Sequence, residues 1–301
     1  MAAVPVYLLD SFAAQRFGGN PAGVVLLQRP ASAAWMQGVA AELGAATTGF
    51  VDLPTARRGD AQVRFFTPRQ EIDACGHVTV AIATVLVETG TWPHGRAAVT
   101  AAGGRFPLLL TEGDDGRTQV EVHQRLLHLE RMEQVPGLDT VLGPATGSRR
   151  LPPVLAGTGL RHLLLPVETV ADLAALPMVD ADVASLSRAL KVDTIGVFTL
   201  VEEDRDRVRV RMRDLCAGIG ASEEPASGTT TGSLSFALAD ATVLTMDRPH
   251  LQVEMGVEMG RPSRLSVTLD FADGRPTLAR LRGFSDRVLA GELVATDDTM
   301  P

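Results

Sequence analysis

The sequence predicts an α+β chain in which the second half repeats a unit of the first. Two observations carry this expectation. Residues 78–87 (VTVAIATVLV) and residues 232–244 (GSLSFALADATVL) are apolar or small on nearly every face. Segments of that kind have to be enclosed by other structure. Each also follows a strand-like run, a short polar turn, a small nucleophilic residue and a glycine. The two glycines, Gly76 and Gly228, stand 152 residues apart in a chain of 301. That is the spacing a duplicated unit gives.

The elements follow in order. Val4 to Phe12 reads as an opening strand, rich in β-branched and aromatic residues, and Gly18-Gly19-Asn20-Pro21 interrupts it before Ala22 to Leu27 resumes. Ser32 is placed to cap a helix with Trp35, Met36, Val39 and Leu43 at helical spacing, and Gly44 to stop it. Phe50 to Leu53 and Gln62 to Thr67 are further strands, the latter ended by Pro68. For residues 78–87 periodicity leaves a buried helix and a buried strand both open, and the β-branched content leans to strand. Ala101-Ala102-Gly103-Gly104 reads as an ordinary turn and Asp115-Gly116 as a hairpin. Gly143 to Pro153 (GPATGSRRLPP) is the most linker-like stretch. Val170 to Leu176 and Val183 to Leu190 read as short amphipathic helices. Arg207 to Arg213 (RVRVRMR) alternates strictly, which predicts a half-exposed strand with its arginines in solvent.

Composition narrows the function classes. A 45% hydrophobic chain of this length holds about two domains. A net charge of −8, one Tyr and two Trp argue against a nucleic-acid binder. The two cysteines, Cys75 and Cys216, form neither a disulfide framework nor a zinc pair. His123, His128 and His162 lack metal-ligand spacing and are left unassigned. No G-x-G-x-x-G follows a strand and no G-x-S-x-G elbow occurs. The N-terminal residues lack a basic region and a long apolar run, so a cytoplasmic protein with reduced thiols and no membrane segment is expected.

The two glycine turns carry the chemistry. A helix N-terminus offers unpaired N–H groups and partial positive charge, and a glycine there admits close approach of a ligand. Two such ends facing one another would hold a small carboxylate without metal or arginine. Cys75 and His77 flank one turn; Glu223, Glu224 and Ser227 flank the other. All are able to move protons, and a buried carboxylate there suits general acid/base work. Each has a bland reading as well. A lone cysteine is commonly a small buried hydrophobe, Ser227 and Thr229 are ordinary caps, and Glu223-Glu224 complements a helix dipole. Cys216 keeps the bland reading.

Taken together, three segments resemble the PhzF-like family over nearly the whole chain. Leu9-Asp10-Ser11-Phe12 followed by Phe17-Gly18-Gly19-Asn20-Pro21-Ala22-Gly23-Val24 is similar to the family's D-x-F…F-x-G-N-P-A-x-V start. Arg64-Phe65-Phe66-Thr67-Pro68, then Glu71-Ile72-Asp73-Ala74-Cys75-Gly76-His77-Val78-Thr79, is similar to R-[WF]-F-T-P…E-[VI]-[DP]-x-C-G-H-A-T. Gly260-Arg261-Pro262-Ser263 matches a G-R-P-S element. The resemblance implies two pseudo-symmetric diaminopimelate epimerase-like barrels, each a curved mixed sheet around a central helix. It therefore favours helix for residues 78–87. It implies domains at 1–125, completed by 286–301, and at 126–285. It also implies an active site in the cleft between halves, no cofactor, no metal and a homodimer.

The departures shape the functional expectation. The family's glutamate in S-E-T-T-F-V is replaced by Thr47 in Ala45-Ala46-Thr47-Thr48-Gly49-Phe50-Val51. Its E-D-P-x-T-G-S-A reads Glu223-Glu224-Pro225-Ala226-Ser227-Gly228-Thr229-Thr230, which turns the aspartate into Glu224. Its R-x-F-x-P reads Arg213-Asp214-Leu215-Cys216-Ala217. Racemases of the superfamily carry two cysteines, at the positions of Cys75 and Ser227, and this chain keeps one. The expectation is an isomerase that shifts a proton and a double bond in a small unsaturated amino-acid-derived carboxylate. Glu224, Cys75 and His77 would be catalytic; Asn20, Thr47, Gly76, Ser227, Gly228 and Thr229 would bind substrate. Antibiotic biosynthesis through 4-alkylproline precursors (lincomycin, hormaomycin, pyrrolobenzodiazepine) is one setting. An amino-acid epimerase or racemase and a non-catalytic carboxylate binder are the rivals.

Overall fold

The computed structural model describes residues 3–57, 59–143, 148, 150–177 and 179–294. It divides into two compact units, Met1–Val122 with Arg282–Pro301, and His123–Leu281.

In the first unit, strands lie in the order Ser285–Leu293, Val4–Ser11, Asn20–Leu27, Thr47–Asp52, Asp60–Phe66, Gly95–Ala101, Gly104–Glu112 and Thr118–Gln124. Two neighbouring pairs are parallel: Asn20–Leu27 with Thr47–Asp52, and Asp60–Phe66 with Gly95–Ala101. Parallel neighbours need a crossover, and a helix supplies each, Ala33–Leu43 for the first and Gly76–Glu88 for the second. The first of these helices starts where Ser32 Oγ accepts from Trp35 N at 3.2 Å and stops at Gly44, φ 63°. Its Met36 and Ala40 pack on Val25, Leu27, Phe50 and Phe66.

The Gly76–Glu88 helix is of another kind. Ten consecutive residues, His77 to Leu86, are buried, so the helix is enclosed on every side. This decides residues 78–87 for helix. Enclosure overrides the β-branched preference for strand, and Thr79 and Thr84 satisfy their hydroxyls on the carbonyls of Cys75 and Val80.

The second unit repeats the plan. His128–Arg131, Val154–Gly157, Arg161–Pro166, Thr194–Glu203, Arg207–Leu215, His250–Met255 and Ser263–Ala272 are paired in that order. Parallel pairs again surround the crossovers, Val170–Ala174 with Asp180–Leu190 outside and the buried Gly228–Asp240 helix inside. Register extends the repeat to single residues. Thr47 and Thr194 occupy the same place, as do Gly49 and Gly196. A Cβ on Gly49 would meet Val78 at 2.8 Å, and one on Gly196 would meet Thr230 at 2.8 Å. In both units the central helix lies too close to the strand for any side chain there.

The Arg207–Leu215 strand forms, but its arginines do not all face solvent. Arg207 and Arg209 are exposed. Arg211 is half-buried between Glu254 and Glu258. Arg213 is 5% exposed, pairs with Glu223 and donates to the Leu173 carbonyl. The Val170–Ala174 helix covers that end of the face, which alternation along one strand does not register. In the linker-like stretch, residues 144–147 and 149 lie outside the described residues. Its ends, Gly143 and Pro153, both belong to the second unit. Among the described residues no helix is long and apolar enough to cross a membrane.

Candidate active site

In the first unit, Cys75 ends the approach to the central helix in extended conformation and its side chain makes no cap bond. Its Sγ lies 3.4 Å from His77 Nδ1. His77 is buried, its ring donates to the Pro21 carbonyl, and Asn20 Nδ2 lies 3.3 Å from Nδ1. This hydrogen-bond pattern assigns Nδ1 as an acceptor for both the amide and the thiol. Burial pushes His77 down to about 4, with the Pro21 bond opposing. At neutral pH the imidazole is therefore uncharged and offers Cys75 an acceptor rather than a cation. Asn20 is set in turn by the first strand pairing, opposite Ser11, whose hydroxyl donates to the His77 carbonyl at 2.7 Å. Thr47 is buried. The two-residue period of its strand puts it on the face that Gly49 presents to the helix.

The second unit has the same turn with other chemistry. Ser227 caps the Gly228–Asp240 helix, accepting from Thr230 N at 3.4 Å, and its Oγ lies 2.8 Å from Thr230 Oγ1. Thr231 bonds the Ser227 carbonyl at 2.8 Å, as Thr79 bonds that of Cys75. Glu223 is committed to Arg213 in a buried bidentate pair, the counterpart of Arg64–Glu71. Glu224 lies half-buried, directly opposite Asp214 in the strand register. The counterpart of that carboxylate pair in the first unit is apolar, Phe65 opposite Ile72. Thr229 stands where His77 stands in the other copy.

Sequence reasoning missed the centre of this second site. Asp214 is fully buried and accepts from Thr194 Oγ1 and Thr230 Oγ1, each at 2.8 Å. His162 Nδ1 lies 2.8 Å from Thr194 Oγ1 and 3.2 Å from Thr230 Oγ1. Burial raises Asp214 above the usual carboxylate range, while the hydrogen bonds from Thr194 and Thr230, with the nearby Ser227 hydroxyl, oppose it. The available signal was Asp214 itself, a carboxylate where the alternation of Val208, Val210 and Met212 calls for an apolar residue. Cys216 is buried, and burial pushes its thiol well above the ordinary value, which fits an inert side chain.

The two glycines differ in what demands them. A Cβ on Gly228 would meet Leu281 Cδ2 at 2.7 Å, whereas one on Gly76 meets nothing within 4 Å. Packing explains Gly228 but not Gly76, where the space is open to a ligand. Gly76→Ala is expected to leave thermal unfolding unchanged or raise it slightly, and Gly228→Ala to lower it by about 1–3 kcal/mol. Equal losses in a melting comparison would contradict this difference.

Among the described residues no group of three or more His, Cys, Asp and Glu is arranged to hold a metal ion. The family model for phenazine biosynthesis-like proteins matches residues 9–291. A protein of Deinococcus radiodurans described as an uncharacterized isomerase is 31% identical over 277 residues, covering 88% of this chain and 86% of that one. The crystal structure of a Bacillus anthracis phenazine biosynthesis protein of the PhzF family superposes with a TM-score of 0.84 at 23% identity, covering 98% of this chain and 100% of that one. A hydroxyproline epimerase from Agrobacterium vitis, with bound trans-4-hydroxy-L-proline, superposes at 0.61 with 14% identity, covering 97% and 91%. The curved mixed sheet around a central helix, seen twice, is thus the diaminopimelate epimerase and proline racemase-like fold. With that fold and a family match over nearly its whole length, the chain belongs to the phenazine biosynthesis-like proteins, a family of isomerase- and epimerase-like enzymes.

Proposed function

We propose that the protein is a cofactor-independent isomerase that moves a proton, and with it a double bond, in a small unsaturated amino-acid-derived carboxylate. The observation that carries this reading is the chemical inequality of the two repeats. One turn presents a thiol beside a neutral imidazole, Cys75 with His77. The other presents a hydroxyl backed by a buried carboxylate, Ser227 with Asp214. The racemases of the superfamily that this chain resembles set a thiol on each face, and this chain keeps only the Cys75 thiol; removal of a proton at one carbon and its return at another does not call for that symmetric pair. Gly76 and the following N–H groups would bind the carboxylate, with Asn20 and Thr47 beside them and Gly228 and Thr229 at the second turn. Cys75 at the first turn and Glu224 with Ser227 at the second would exchange the proton with carbon, and His77 would hold the thiol proton in transit.

Cyclic imino acids are the first substrates to try. The resemblance nominates 4-alkylproline precursors in antibiotic biosynthesis, and the epimerase of the same fold binds a hydroxyproline. A homodimer in the cytoplasm completes the reading. In D₂O, a panel of unsaturated pyrroline carboxylates and both enantiomers of proline-type acids separates the alternatives. The expected result is a shifted ultraviolet absorbance, one deuterium at the new position and an unchanged stereocentre. Exchange at Cα with inversion and no spectral shift would make the protein an epimerase, and binding without turnover a carboxylate-binding protein. Cys75→Ala is expected to lower kcat by about 10²–10⁴-fold, and retention of full activity would remove Cys75 from the mechanism.

A further inference from the structure

The buried cluster under Ser227 is not required by the fold. Strand register and helix contacts place Asp214, Thr230 and His162 where the first unit has Phe65, Val78 and Ala22. The same architecture therefore closes around three apolar residues in one copy and around a carboxylate, a hydroxyl and an imidazole in the other. Burying such groups costs several kcal/mol more than burying apolar ones unless every partner is supplied.

The hydrogen bonds have a direction. An ionised Asp214 has no proton to give, so Thr194 and Thr230 both donate to it. Their lone pairs then accept from the next donors in line. Thr194 accepts from His162 Nδ1–H, and Thr230 accepts from the Ser227 hydroxyl. His162 Nε2 is left buried without a hydrogen-bond partner among the described residues.

We propose that Asp214 is a positioning residue that takes and returns the proton of Ser227, with Thr230 as the bridging hydroxyl. This rests on the isomerase reading above. In the forward step Ser227 Oγ accepts a proton from a substrate carbon while its own proton passes to Thr230 Oγ1 and the Thr230 proton passes to Asp214. The broken C–H bond leaves its electron pair on the substrate, and the negative charge of Asp214 is exchanged for that of the substrate carbanion. The reverse sequence delivers the proton to carbon. Thr230 and Ser227 then point their hydroxyls the other way along the chain, with no heavy atom moved. The transfer stops at Asp214 because burial, with His128 nearby, pushes His162 down to about 3 and keeps it from competing. Burial also raises Asp214 towards the range a proton acceptor needs. The other titratable groups about it are Glu224 opposite in the register, Glu223 with its partner Arg213, and Cys216 just beyond it on the same chain.

The full chain, labelled with ¹³C at aspartate carboxyls, is titrated from about pH 4 to 9. The Asp214 resonance is identified by its loss in Asp214→Asn. It is expected to titrate above the ordinary carboxylate range, and Thr230→Val to move its midpoint further up by removing a donor to the charged form. A resonance that stays in one state throughout overturns the proposal. On whichever carboxylate the wild-type protein exchanges in D₂O, Asp214→Asn is expected to lower kcat about 100-fold or more with KM within about 3-fold, and to remove one limb of the pH–rate profile. Thr230→Ser keeps the hydroxyl and should restore what Thr230→Val loses. A merely structural anchor gives the opposite result, a lower melting temperature with kcat and the pH limb kept, and that also overturns the proposal. If the wild-type protein exchanges no carboxylate, the isomerase reading has failed and the titration alone decides the proton-acceptor role of Asp214.

Discussion

Arg213→Ala is expected to destabilise the protein by about 3–5 kcal/mol, and the equivalent Arg64→Ala by about 0–1 kcal/mol. The two arginines occupy the same position in the repeat, and each makes a bidentate bond with the glutamate of the next short strand. They differ in solvent. The side chains of Arg64 and Glu71 are 42% and 40% exposed, those of Arg213 and Glu223 are 6% and 5% exposed. Water screens the first pair and re-solvates either partner when the other is removed. In the second, truncating Arg213 leaves the Glu223 carboxylate buried and uncompensated, and also leaves the Leu173 carbonyl without its donor. Denaturant midpoints of the two variants measure the difference. Similar losses from both would show that burial does not govern the pair.

Stability is also expected to fall steeply between pH 7 and pH 4. His77 and His162 are held at about 4 and about 3, below the ordinary value of 6.5. The sign follows from which state takes the proton first. As pH falls through 6.5 the unfolded chain is protonated and the folded chain is not, so the contribution is complete above 6.5 and lost as pH falls towards the folded values. At pH 4 the loss is about 3 kcal/mol for each histidine. Asp214 runs the other way. Its raised folded value means that its contribution is present at low pH and lost as pH rises through that value. His162→Gln, which cannot be protonated, should remove about half of the fall in unfolding free energy seen by denaturant titration at pH 7 and pH 4. A wild-type protein equally stable at both would contradict the burial of these rings.

Local signals carried much of this structure. Ser32 and Gly44 bracket a helix because capping is decided within a turn of chain. Asp115-Gly116 closes the hairpin between Gly104–Glu112 and Thr118–Gln124 for the same reason. The duplication was legible because both copies keep a small residue, a glycine and an apolar helix in fixed order, and the motifs around Cys75-Gly76-His77 and Ser227-Gly228-Thr229 marked where each helix begins. Residues 78–87 were harder, since a segment buried on all sides shows no period.

What the sequence determined by itself is the pair of helix-starting turns, one with a thiol and one with a hydroxyl, because those residues are neighbours along the chain. What only the tertiary structure decided is what lies beneath them. His162, Thr194, Asp214 and Thr230 come from three strands and a helix, and each is ordinary in its own stretch. Parallel pairing of Arg161–Pro166 with Thr194–Glu203, antiparallel pairing with Arg207–Leu215, and the close approach allowed by Gly196 bring them to one buried point. Burial then changes what they are, holding the imidazole neutral and the carboxylate ready to take a proton, and depth of burial is a property of the folded chain alone.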